Sequence, residues 1–136
     1  AETGAPAAAM ELPDGTIITG KTSNLLGASS ALILNALKYF GEIDNDTLLM
    51  SPDVIEPIQN LKVQHLGNNN PRIHTDETLI ALSICANTDP NAKKAMEQLS
   101  KLRGCEVHST VILSQVDERT FKRLGINLTC EPKYQA

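Results

Sequence analysis

The segment GTIITGKT, residues 15–22, has the G-x-x-x-x-G-K-[ST] spacing of a phosphate-binding loop. That chemistry needs a flexible loop after a strand, so that successive backbone N–H groups can cradle phosphate oxygens. Here the four intervening residues are two Thr and two Ile, which prefer strand, and Pro13 and Asp14 place a turn where a strand should end. The segment therefore also reads as one strand of a hairpin running into a helix. On either reading Lys21, Thr22 and Ser23 stand near a helix start, where an anion can bind.

A second polar stretch, NNNPRIHTD at 68–76, gathers amide, guanidinium, imidazole and carboxylate groups within nine residues. Arg72 and His74 could take a carboxylate or phosphate there, Arg72 through its planar fork. The same residues also suit a plain surface loop, with Asn tolerating left-handed turns and Thr75 and Asp76 opening a helix. Cys105, Glu106 and His108 form the remaining reactive group. Strand alternation puts Cys105 and His108 on opposite faces, so they cannot share a metal, whereas Glu106 and His108 share a face and can pair. No C-x-x-C, H-E-x-x-H or G-x-S-x-G motif occurs, and no metal or cofactor is expected to bind this region.

The elements that must position these groups surround one helix. Between Leu25 and Phe40 the apolar residues leave almost no polar arc, which marks a helix covered on most sides and ended by Gly41. Ahead of it, Met10–Leu12 and Thr16–Thr19 flank Pro13, Asp14 and Gly15 as a β-hairpin. Thr47–Met50 reads as a short buried strand. Ser51 and Pro52 start a helix to about His65, kinked at Pro57 or restarting at Glu56. Thr75 caps a helix to about Ala86, and Asp89 and Pro90 start another that Gly104 ends. Cys105–Leu113 is a long strand, Ser114 and Asp117 cap a short helix ending at Gly125, and Ile126–Glu131 is the last strand. Strands alternating with helices give an α/β sandwich with a mixed, mostly parallel sheet opened by the hairpin.

At 136 residues the chain fits one domain, taken as residues 10–136, with 1–9 an Ala/Gly/Pro linker or tail. A net charge of −4 with scattered Lys and Arg argues against a nucleic-acid surface, and no apolar run approaches the roughly 18 residues of a membrane span. Three widely spaced cysteines suit reduced thiols and a cytoplasmic setting better than a disulfide framework. The absence of an initial Met suggests the C-terminal piece of something longer.

The segments ELPDGTIITGKTSNLLGASSALILNALK, SPDVIEPIQNLK, HLGNNNPRIHTDETLIALS and KLRGCEVHSTVILS, with LGINLTCEPKY, together resemble the C-terminal region of the bacterial domain of unknown function 1846 family, also called uncharacterised protein family 0371. The resemblance covers nearly the whole chain. It implies a larger protein whose preceding region carries a Gly-rich, nucleotide-loop-like segment, and a three-layer αβα sandwich similar in topology to cytidine deaminases. Deaminases place zinc ligands after the hairpin and after the third strand; here Lys21–Asn24 and Ser51–Val54 stand there and offer none. Two expectations follow. The region is a non-catalytic domain that packs against the missing N-terminal part of its own chain or forms a homo-oligomer, without nucleic acid or membrane. Alternatively, Lys21, Thr22 and Ser23 with Arg72 and His74 bind phosphate or a small molecule within a nucleotide-dependent enzyme.

Overall fold

A computed structural model describes residues 7–110 and 113–130. Four strands form one mixed sheet in the order β2-β1-β3-β4, with β1 at Ala7–Glu11, β2 at Ile17–Lys21, β3 at Glu106–Ser109 and β4 at Asn127–Cys130. The hairpin is present: Leu12 N–H bonds Thr16 O, Gly15 N–H bonds Leu12 O, and Gly15 takes the φ of 89° that its turn requires. The second strand begins and ends later than expected, and the first begins at Ala7, so residues 7–9 of the expected linker belong to the sheet. The central strand β1 runs antiparallel to both β2 and β3, while β3 and β4 are parallel. The expected parallel character therefore holds for the direction of β2, β3 and β4 but for only one of the three pairings.

Five α-helices complete the described residues: α1 at Ala28–Phe40, α2 at Pro52–Asn60, α3 at Thr75–Cys85, α4 at Pro90–Met96 and α5 at Gln115–Arg123. As its composition demands, α1 is the centre of the core: Leu32, Ile33, Ala36 and Leu37 are fully buried against Met10, Val107, Leu102 and Phe121, among others. At Gly20 the sheet and the helix approach closely. A Cβ on it would lie 2.5 Å from Leu32 N and 2.6 Å from Ala28 O. The second glycine of the phosphate-loop pattern is thus what lets α1 lie on β2, and GTIITGKT is hairpin strand.

Alternation along the strands separates two faces. Ala8, Met10, Gly20, Val107 and Ser109 are buried towards the helices, whereas Glu11, Ile17, Thr19, Lys21, Glu106, His108, Asn127 and Thr129 are exposed. The three-layer expectation is corrected here: among the described residues the helices cover one face of the sheet and leave the other bare.

Several local expectations also change. Thr47–Met50 is not a strand, because the Lys38 ammonium donates to the carbonyls of Asn45 and Thr47, both at 3.0 Å, and holds that stretch as a loop. Pro57 sits inside α2 without ending it; the helix continues to Asn60 and widens into a π-helical turn at Leu61–His65, closed by Leu66 N–H on Leu61 O. The helix starting at Pro90 ends early at Met96 and a 3-10 turn follows at Leu99–Leu102. The strand after Cys105 is described to Ser109, and Val111, Ile112 and Glu131 lie outside the described residues.

Candidate functional site

The two polar loops that the sequence singles out meet. Leu26 and Ile73 form an isolated parallel bridge, with Ile73 N–H donating to Leu25 O at 3.1 Å. Arg72 Nε donates to the carbonyl of Ser23, and buried Ser30 Oγ donates to Ile73 O at 3.1 Å from the first turns of α1. Gln59, near the end of α2, reaches Asn24 O at 3.0 Å. Residues 23–26 and 70–74 are therefore one interlocked unit.

Within it, each polar group has a local task. Ser23 Oγ accepts from Leu25 and Leu26 N–H at 3.2 and 3.1 Å, an ST-type turn that sets the approach to α1. The helix itself starts at Ala28 with Gly27 as cap, so Lys21, Thr22 and Ser23 precede the first turn and do not form it. Lys21 ends β2 on the bare sheet face, and no hydrogen bond or ion pair among the described residues joins it to Arg72 or His74. Thr22 is half-buried and makes a contact of its own. Arg72 is half-buried, its N–H bonded to Asn70 Oδ1 at 3.0 Å.

His74, not Thr75, is the N-cap of α3. Its backbone N–H donates to Glu77 Oε1 at 2.8 Å, and its Nδ1 stands 3.7 Å from the same oxygen. Lys62 lies behind this turn. Its side chain is 4% exposed, and its ammonium donates to Arg72 O at 2.7 Å and to Glu77 Oε1 at 2.9 Å. The π-helical turn, a rare single-turn feature of α-helices, thus carries a buried cation to the loop. No motif announces Lys62; the only sequence signal is a lysine in the middle of the run LKV.

Buried Thr75, at the first position of α3, donates both its N–H and its hydroxyl to Asp117 Oδ1, at 3.0 and 2.8 Å. Acidic groups thus already occupy the positive end of α3: Asp76, Glu77 and Asp117. The cleft of about 210 Å³ that reaches Ser23 is lined mostly by apolar groups, Leu25, Leu34, Leu49, Met50 and Ile55 among them, and by neither Arg72 nor His74.

Cys105 is fully buried, and burial pushes its thiol above the ordinary value, so it is a core residue. Glu106 and His108 do share the bare face. The pairing register adds Glu11, directly opposite Glu106, and one ligand atom from each of the three lies within 4.8 Å of the others. Sequence reasoning misses Glu11, because the pairing of β1 with a strand nearly a hundred residues away carries no local signal.

The fold and these loops define a mixed α/β domain in which, among the described residues, one sheet face is covered and the other open. Residues 1–136 match the family described as "Domain of unknown function DUF1846, C-terminal", and the chain belongs to that family. It is 60% identical over 134 residues to a UPF0371 protein of Corynebacterium efficiens and 50% identical over 134 residues to one of Streptococcus pneumoniae, each match covering 98% of this chain. A UPF0371 protein of Corynebacterium diphtheriae is 59% identical over 133 residues. The chain spans 27% of the length of these bacterial relatives. No helix among the described residues is long and apolar enough to cross a membrane.

Proposed function

We propose that this region is a non-catalytic, cytoplasmic packing domain that docks on the remainder of its own polypeptide, with a deaminase-like strand arrangement but no deaminase chemistry. The observation that carries this reading is the engagement of Arg72. Its Nε holds the Ser23 carbonyl while its own carbonyl takes the Lys62 ammonium, so the residue ties two loops and a half-buried ion pair together. A side chain so placed is architecture. Arg72→Ala should lower stability by about 0.5–1.5 kcal/mol through the lost hydrogen bond and the loosened loop, whereas exposed-loop arginines change it by no more than about 0.5 kcal/mol. Urea denaturation of the full-length protein and the variant checks this. An unchanged midpoint would remove the structural role on which the reading rests.

One observation favours a second reading, phosphate or small-molecule binding as part of a nucleotide-dependent enzyme: Ser23, Arg72 and His74 are neighbours in space. Inorganic phosphate should then bind, and Arg72→Ala should abolish binding. The acidic trio at the start of α3 opposes an anion there, and calorimetric titration of the parent and of Arg72→Ala with inorganic phosphate separates the two readings.

A further inference from the structure

Helix α3 exposes two large aliphatic side chains. Its inner side buries Thr75, Thr78, Ala81 and Leu82, as a helix packed on α1, α4 and α5 should. Its outer side carries Ile80 and Ile84, 60% and 62% exposed. They are four residues apart and so lie one above the other on a single stripe. Exposed Asp76 and Ser83 flank the pair, so the strip is narrow; single exposed aliphatics are ordinary, whereas two aligned ones on the outer side of a packed helix mark a contact.

We propose that the outer stripe of α3, centred on Ile80 and Ile84, is where the preceding region of the full-length polypeptide docks. This rests on the packing reading above and names its surface. Two facts select the occupant. The chain is the C-terminal domain of its family and spans only 27% of the length of its relatives, so most of the polypeptide lies outside it and before it. A tethered segment meets the stripe at an effective concentration in the millimolar range, far above that of a second copy in dilute solution.

The test is carbene footprinting of the full-length protein read by mass spectrometry, which needs no variant. Ile80 and Ile84 should be labelled at least tenfold less than the exposed α4 residues Lys93 and Lys94, at every protein concentration. Labelling equal to Lys93 and Lys94 overturns the proposal. Protection that is lost on dilution, together with a sedimentation shift to a smaller species, overturns it in favour of a second copy. A thermal melt separates this failure from that of the packing reading. If the full-length protein melts as one unit while the stripe is labelled, packing stands and this surface falls; if this region melts separately, both fall. In a second variant, Ile80→Glu with Ile84→Glu should split a single melt of the full-length protein into two, and an unchanged single melt counts against the proposal.

Discussion

Asp117 Oδ1 accepts two hydrogen bonds from one residue, Thr75, whose N–H lies 3.0 Å away and whose hydroxyl lies 2.8 Å away. The carboxylate of α5 thus satisfies a free N–H at the start of α3, where the helix dipole also favours a negative charge. Ser114 Oγ in turn accepts from Asp117 N–H at 3.1 Å, so the cap of one helix positions the side chain that ties down the other.

Asp117→Ala should therefore be among the more damaging single changes outside the apolar core. Thr75 is fully buried, and both of its donors would lose their partner. A loss of about 1–3 kcal/mol is expected, against about 1 kcal/mol for Ser114→Ala, which removes a cap alone. Equilibrium urea denaturation of both variants measures the order, and equal losses would mean that water reaches Thr75.

Gly20 and Lys21 part company in the same way. Under a phosphate-loop role both substitutions would harm ligand binding and neither would unfold the domain. The backbone of Leu32 and Ala28, 2.5 and 2.6 Å from a Cβ at position 20, cannot yield as a side chain end can. Gly20→Ala should cost about 1–3 kcal/mol or more as overpacking, while Lys21→Ala, at an exposed strand end, should stay within about 0.5 kcal/mol. Thermal melts of the two variants decide between the roles.

How much of this was legible in the sequence depends on range. The hairpin turn, the apolar α1 and the Ser114 cap are local signals, written in neighbouring residue types, and all three are present. The failures are tertiary. Thr47–Met50 has strand-like residues, but Lys38 holds the Thr47 carbonyl, and that of Asn45 before it, from a different element. The two site loops look separate in sequence and are joined by the Leu26–Ile73 bridge, across 46 intervening residues, and by the Arg72–Ser23 hydrogen bond. Pro57 breaks a local rule and survives because α2 keeps Ile55 anchored in the core. One-sided cover of the sheet cannot be read at all from strands whose alternation is equally clear in two-layer and three-layer folds.

Glu11 and Glu106 face each other across β1 and β3 on the bare sheet face, and no ion pair among the described residues neutralises either. Like charges directly opposite destabilise a sheet, and a cross-strand pair of opposite charge contributes roughly 0.2–1 kcal/mol. Glu11→Lys should accordingly raise the melting temperature by a few degrees in chelator-treated protein. Zinc should leave both melts unchanged if the carboxylates and His108 are only neighbours. A zinc-dependent rise in the parent that Glu11→Lys abolishes would instead make the trio a ligand set.

The alkaline limb of stability should report on Cys105. Burial raises its thiol above the ordinary 9.0, so in the native state the proton stays on at a pH where the unfolded chain has lost it. The unfolded state then binds fewer protons, and stability falls as pH rises through 9 towards the raised native value. Lys38 acts in the opposite sense. Burial lowers its ammonium from 10.5, only partly offset by Asp46 and Asp44, so the unfolded state holds more protons between the two values and stability recovers with rising pH there. Cys105→Ala should lower stability at neutral pH through the cavity it leaves, yet flatten the decline that begins near pH 9. Denaturation midpoints of the parent and the variant from pH 7.5 to 10, with the slope compared rather than the level, provide the measurement. An identical slope in both would mean that the native thiol ionises as freely as the unfolded one, and that Cys105 is not sealed in the core.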